Sequence, residues 1–88
     1  MKYFDWSEMK NMWLLEHRDI SFEDIVIAIE EGRLLDEVQN KKKYSQQKIF
    51  IIQIADYIYL VPFVEDEAKI FLKAIIPSRK ATKKYFKL

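Results

Sequence analysis

Residues 48–76 read KIFIIQIADYIYLVPFVEDEAKIFLKAII, and three apolar runs stand out in them: Lys48 to Ile54, Tyr57 to Val64 and Lys69 to Ile76. All three are dense in β-branched and aromatic residues, which fit a pleated surface. Only Ala55-Asp56 and Glu65-Asp66-Glu67 interrupt them, so the stretch predicts a three-stranded antiparallel meander. In the first run both alternations are apolar, Ile49 and Ile51 on one side and Phe50, Ile52 and Ile54 on the other. A sheet with that pattern is covered by helices on one face and partly shielded on the other. Pro62 cannot donate to a ladder and marks a bulge or an edge.

Toward the N-terminus, Leu34 to Val38 predicts a further strand, and the polar, aperiodic Gln39 to Gln47 a mobile loop. Two helices are expected before it. The first starts from a capping arrangement of Asp5 and Glu8 and places Trp6, Met9, Met12, Trp13 and Leu15 on one apolar stripe, expected to be core. The second starts at Ser21, whose hydroxyl accepts from the amide three residues on, with Glu23 and Asp24 at the positive helix end. Phe22, Ile25, Val26 and Ile29 line its apolar face, and the single glycine, Gly32, follows its last periodic residue where a left-handed cap is needed. Tyr3 to Trp6 is a candidate edge strand.

Beyond the meander, Pro77 stops the last run and Ser78 caps a terminal helix. Ala81, Tyr85 and Leu88 fall on one of its faces, and Lys80, Lys83, Lys84 and Lys87 on another. The fold class is therefore α+β: two N-terminal helices packed on an antiparallel sheet of three to four strands, followed by a short C-terminal helix.

Eighty-eight residues, half of them apolar, make one domain with its own small core. The chain contains no cysteine, so disulfides and thiolate metal sites are ruled out and a reducing, cytoplasmic setting is expected. No apolar run reaches the roughly 20 residues that span a bilayer, and no membrane partner is expected. The net charge of +1 conceals a division. Residues 1–40 hold four cations against ten acids, net −6, and residues 41–88 hold eleven against four, net +7. Ala68 to Leu88 alone carries seven cations and no acid, so it presents a cationic surface to solvent, to a polyanion or to an acidic protein.

The chemistry available is narrow. His17 is the lone histidine and has no cysteine to join it, so no metal site and no cofactor is expected. With its one glycine at a helix end, the chain has no phosphate loop, and Ser78 lacks a neighbouring base. What remains is Arg79, Lys83, Lys84 and Tyr85, with Lys73 from the last strand and Lys48 from the first. Such a group suits metal-free cleavage of RNA, in which cations offset the charge growing on phosphorus and a donor protonates the leaving 5′-oxygen. An unperturbed lysine, with a pKa of about 10.4, is a poor base near neutrality, so the base is left open between a perturbed lysine, His17 and a carboxylate.

The order Phe4-Asp5-Trp6, Asn11, Ile20-Ser21-Phe22-Glu23-Asp24, a strand-rich middle and Ile76-Pro77-Ser78-Arg79-Lys80-Ala81-Thr82-Lys83-Lys84 resembles the BrnT family of toxins of bacterial type II toxin-antitoxin systems over nearly the whole chain. The blocks are similar to that family's F-x-W-D-x-x-K-x-x-x-N opening, its V-S-F-E-E-A helix start and its S-A-R-R-A-T-R-R-E ending, with Tyr85 where the ending carries glutamate. The resemblance implies a RelE-like fold, ribonuclease activity and a ribbon-helix-helix-type antitoxin as partner. Carried over, Arg79, Lys83 and Lys84 match the basic positions of the ending.

Two functions are thus expected. In the first, a toxin-type endoribonuclease acts on an RNA substrate by 2′-hydroxyl attack. Arg79 and Lys83 hold the scissile phosphate, Lys73 or Lys48 assists, Tyr85 positions RNA or donates a proton, and Lys80 and Lys84 bind the strand. The alternative is a non-catalytic basic module that docks an acidic protein or nucleic acid.

Overall fold

A computed structural model describes residues 2–40 and 47–87. The elements run β1 (Tyr3–Trp6), α1 (Glu8–Arg18), α2 (Phe22–Glu30), β2 (Leu34–Gln39), β3 (Lys48–Ile54), β4 (Tyr57–Glu65), β5 (Lys69–Leu72), β6 (Ile76–Pro77) and α3 (Arg79–Phe86). The α+β class holds, with two N-terminal helices and a C-terminal one, but the sheet is mixed and six-stranded, not an antiparallel sheet of three or four. Its order is β1-β5-β4-β3-β2, with β6 also on β4. The meander β3-β4-β5 and its extension to β2 are antiparallel, whereas β1 lies parallel to β5, pairing Phe4 with Ile70 and Trp6 with Leu72. Short as it is, β1 gains its hydrogen bonds only by joining that distant edge.

The third run of the meander divides. Leu72 ends β5 opposite Phe63, and the chain returns to β4 at Ile76, opposite Leu60. Pro62 marks the gap as a bulge, not an edge: it pairs in register with Ile49 of β3, but between Phe63–Leu72 and Leu60–Ile76 the facing chain carries one more residue than β4. Its carbonyl accepts from Lys73 N at 2.7 Å, so its nitrogen faces the same neighbour. Lacking an N–H there, residue 62 cannot sustain a continuous ladder on that side.

The capping of α2 follows expectation. Ser21 Oγ accepts from Asp24 N, Asp24 Oδ2 accepts from Ser21 N at 2.9 Å, and Gly32 ends the turn at φ +82°. The start of α1 does not. Ser7 is its cap, accepting from Lys10 N, while Asp5 stays in β1 and accepts from Trp6 N.

The stripe of α1 turns the other way as well. Trp6, in β1, packs on the core as expected, but Met9 is 84% exposed, and Met12, Trp13 and Leu15 are exposed too, whereas Leu14 and Asn11 are buried. Asn11 decides the rotation: its side chain reaches Phe22 N and Glu23 at 2.7 Å each, which needs that side of α1 against α2. Trp13 is occupied at the surface instead, stacked on His17 at 4.3 Å with the Arg18 guanidinium over its ring. The core lies between α1, α2 and one sheet face, where Leu14, Phe22, Ile25 and Ala28 meet Phe50, Ile52, Val61, Phe63, Leu72 and Ile75. Residues 41–46, most of the expected loop, lie outside the described residues, as does Leu88; Asn40 N donates to Gln47 O.

Candidate functional site

Side chains alternate between the faces of a sheet, so the register assigns each one. Phe50, Ile52, Val61, Phe63 and Leu72 point to the α1-α2 core, which leaves Ile49, Ile51, Ile58, Leu60, Pro62, Val64 and Phe71 on the opposite, outer face. Asp36 and Val38 of β2 join them, paired across the strand with Ile51 and Ile49.

One end of this outer face is covered by α3. Its cap is Ser78, whose Oγ accepts from Ala81 N at 3.1 Å and whose backbone N donates to Ile58 O. Buried Thr82 locks the helix down: its Oγ1 accepts from Ile58 N at 2.9 Å and donates to Ser78 O at 2.7 Å. At about 100° per residue, Arg79 and Lys83 lie within about 100° of Thr82 on one side of α3, while Lys80 and Lys84 lie about 160° from it and border the other side with Ala81 and Tyr85. Between α3 and the outer face lies a cavity of about 260 Å³, lined by Val38, Ile51, Leu60, Ala81, Ser78, Lys80, Lys84 and Tyr85. Its floor is aliphatic, one wall is the Tyr85 ring, and two ammonium-bearing side chains stand at the helix side.

The phenol of Tyr85 donates to Asp36 Oδ2 at 3.4 Å. Partial burial, reinforced by that carboxylate, raises its pKa above the ordinary tyrosine value, so the phenol stays protonated at neutral pH. Asp36 is itself steadied by Glu37 N, which donates to Oδ1 at 2.8 Å.

The expected residues separate into three groups. Lys80, Lys84 and Tyr85 meet at the cavity. Arg79 and Lys83 share α3 but do not line it, and Lys73 stands further along the outer face, its ammonium 5.6 Å from the Phe71 ring centroid with Lys69 at 5.8 Å from the same ring. Lys48 points to the other face, where Glu65 at 3.2 Å and Glu37 at 3.6 Å hold its ammonium and raise its pKa. It is therefore removed from the phosphate-binding group. Among the described residues, Lys73 and all five cations of α3 and its cap, Arg79, Lys80, Lys83, Lys84 and Lys87, form no ion pair with a carboxylate. The acidic N-terminal half does not neutralise them.

Sequence reasoning missed Asp36, Thr82 and the floor residues Val38, Ile51 and Leu60. A signal existed for Phe71, since Lys69, Phe71 and Lys73 recur at the strand period, but none existed for the approach of β2 to α3. Among the described residues no group of three His, Asp or Glu side chains converges as metal ligands, and no helix is long and apolar enough to cross a membrane. Comparison with protein families, curated proteins and solved structures finds no match for this chain.

Proposed function

We propose that this protein is a metal-independent endoribonuclease, the toxin of a type II toxin-antitoxin pair with a RelE-like fold, and that its site is the cavity under α3. The observation that carries the reading is the convergence of Lys80, Lys84 and a protonated Tyr85 on one cavity while, among the described residues, the helix that bears them forms no carboxylate ion pair. A cationic surface without internal counterions favours a polyanion.

In this reading the scissile phosphate lies at the helix side of the cavity between the ammonium groups of Lys80 and Lys84. The ribose 2′-oxygen attacks phosphorus and gives up its proton to water. As the P–O5′ bond breaks, the Tyr85 phenol protonates the departing oxygen, leaving a 2′,3′-cyclic phosphate and a 5′-hydroxyl. The two lysines offset charge on the phosphorane. Arg79, Lys83 and Lys87 hold flanking phosphates on the side of α3 away from the cavity, and Lys73 with Phe71 extends the contact along the sheet. The exposed Met9, Met12 and Trp13 of α1 lie on the opposite side of the molecule from this path and leave room for an antitoxin of ribbon-helix-helix type.

Expression with mapping of RNA 5′ ends tests the proposal. New ends bearing 5′-hydroxyls are expected from the wild type, with Lys84→Ala and Tyr85→Phe each reducing them by at least the roughly 100-fold typical of a general acid or charge stabiliser. Arg79→Ala and Lys83→Ala are expected to weaken cleavage less. Undiminished cleavage in both Lys84→Ala and Tyr85→Phe would remove the assignment, and RNA binding without new ends would leave the non-catalytic module.

A further inference from the structure

The cavity has an aliphatic floor that phosphate chemistry does not need. Val38, Ile51, Leu60 and Ala81 give it no polar side chain, and its 260 Å³ falls below the usual range of about 300–1,000 Å³ for drug-sized ligands. A space of this kind suits one flat ring system, with the Tyr85 ring beside it and the stems of Lys80 and Lys84 along its edge. Unpaired RNA bases are held in this way, against an aromatic wall with their phosphates on nearby cations.

One carboxylate lies just past the Tyr85 side of the cavity, outside the side chains that line it. Asp36 is the cross-strand neighbour of the floor residue Ile51, on the same face, and one of its oxygens lies 3.4 Å from the Tyr85 phenol. Each oxygen has a single described protein donor, Glu37 N on Oδ1 and the phenol on Oδ2, so each keeps capacity to accept another hydrogen bond. A carboxylate only accepts. Guanine is the base whose pairing edge offers two adjacent donors, N1–H and the 2-amino group; uracil offers a lone N3–H between two carbonyl acceptors that a carboxylate repels.

We propose that this cavity is a base pocket for a single unpaired guanine of an RNA strand, with Asp36 as the residue that selects it. The inference rests on the RNA reading above and adds which base enters. A strand is favoured over a free nucleotide because Arg79, Lys83 and Lys87 continue the cationic surface along α3 past the cavity, which a single nucleotide would leave unused.

The test uses the full chain and 2′-O-methyl hexanucleotides, which cannot be cut by 2′-oxygen attack, in fluorescence anisotropy at low salt. UUGUUU is expected to bind about tenfold more tightly than UUUUUU, the worth of one good bidentate base contact, and more tightly than the same strand with an abasic third position. Asp36→Asn, which keeps an oxygen for the Glu37 amide, is expected to bring the affinities for UUGUUU and UUUUUU to the same value. Ala81→Leu, which fills the floor, is expected to bring all three strands to the affinity of the abasic one. Equal binding of UUGUUU and UUUUUU, or a guanine preference that survives Asp36→Asn, overturns the base pocket and leaves the RNA reading standing. Guanosine monophosphate binding as tightly as UUGUUU overturns the choice of a strand. Failure of every oligonucleotide to bind overturns both.

Discussion

Asn11 of α1 accepts the backbone N–H of Phe22 through Oδ1 and donates to Glu23 Oε1 through Nδ2, both at 2.7 Å, so one buried amide joins two helices. Phe22 N is among the first-turn donors of α2 that have no partner within the helix. The amide bond to Glu23, with that residue's own backbone and the Ser21 hydroxyl, holds the Glu23 carboxyl below its ordinary range. Asn11→Ala therefore strands a buried donor. A loss of about 1–3 kcal/mol is expected in urea unfolding, whereas Met12→Ala, on the exposed side of the same helix, should change stability by less than about 0.5 kcal/mol.

Thr82 should be the stability determinant of α3 and, through it, of the cavity. Thr82→Val keeps the shape but leaves the buried N–H of Ile58 without its acceptor, whereas Ser78 O still accepts from Thr82 N at 3.0 Å. The expected cost is about 1–3 kcal/mol. Hydrogen exchange checks it, since the Ile58 amide should lose protection before the amides of β3.

Gly32 lies at φ +82° with nothing within 4 Å of where a Cβ would stand. Gly32→Ala meets no clash, so its expected cost of roughly 1–2 kcal/mol is backbone strain alone. Gly32→Asn, which tolerates the left-handed region better, should recover part of the difference in a thermal melt.

Glu65 gathers Lys2 at 2.8 Å and Lys48 at 3.2 Å. Hydrogen bonds from Lys2 first and then Lys48 lower its pKa. A carboxyl with a lowered folded pKa contributes stability above its unfolded value of about 4.3, and loses it as pH falls through the folded value. Glu65→Gln should thus cost less than about 1 kcal/mol at neutral pH, the range of exposed pairs. Its unfolding curve should converge with that of the wild type as the medium is acidified below pH 4, and high salt should narrow the gap at neutrality.

How much could be read in advance differs from element to element. The runs Lys48 to Ile54 and Tyr57 to Val64 declared themselves as strands because their apolar residues serve two buried faces, and Ser21 with Gly32 bounded α2 because caps are local chemistry. The rotation of α1 was not legible. Met9, Met12 and Trp13 have helical spacing, but so do Asn11 and Leu14, and only the partner at Phe22 N decides which side turns inward. The candidate site divides in the same manner. Seven cations without an acid in residues 68–88 announce a cationic end, yet their grouping needed the anchoring of Thr82 to Ile58, which seats α3 so that Lys80 and Lys84 border the cavity and Arg79 and Lys83 do not.

By itself, then, the sequence determined the α+β class, the positions of most strands and helices, and the cationic character of the C-terminal third, because each depends on neighbours within a few residues along the chain. Tertiary structure alone decided that β1 would lie parallel to β5, that Lys48 would be held by Glu37 and Glu65, and that Asp36 and Tyr85, 49 positions apart, would meet. Those outcomes depend on which distant backbone groups still need hydrogen bonds and which face of the sheet each side chain takes, and no local pattern encodes either.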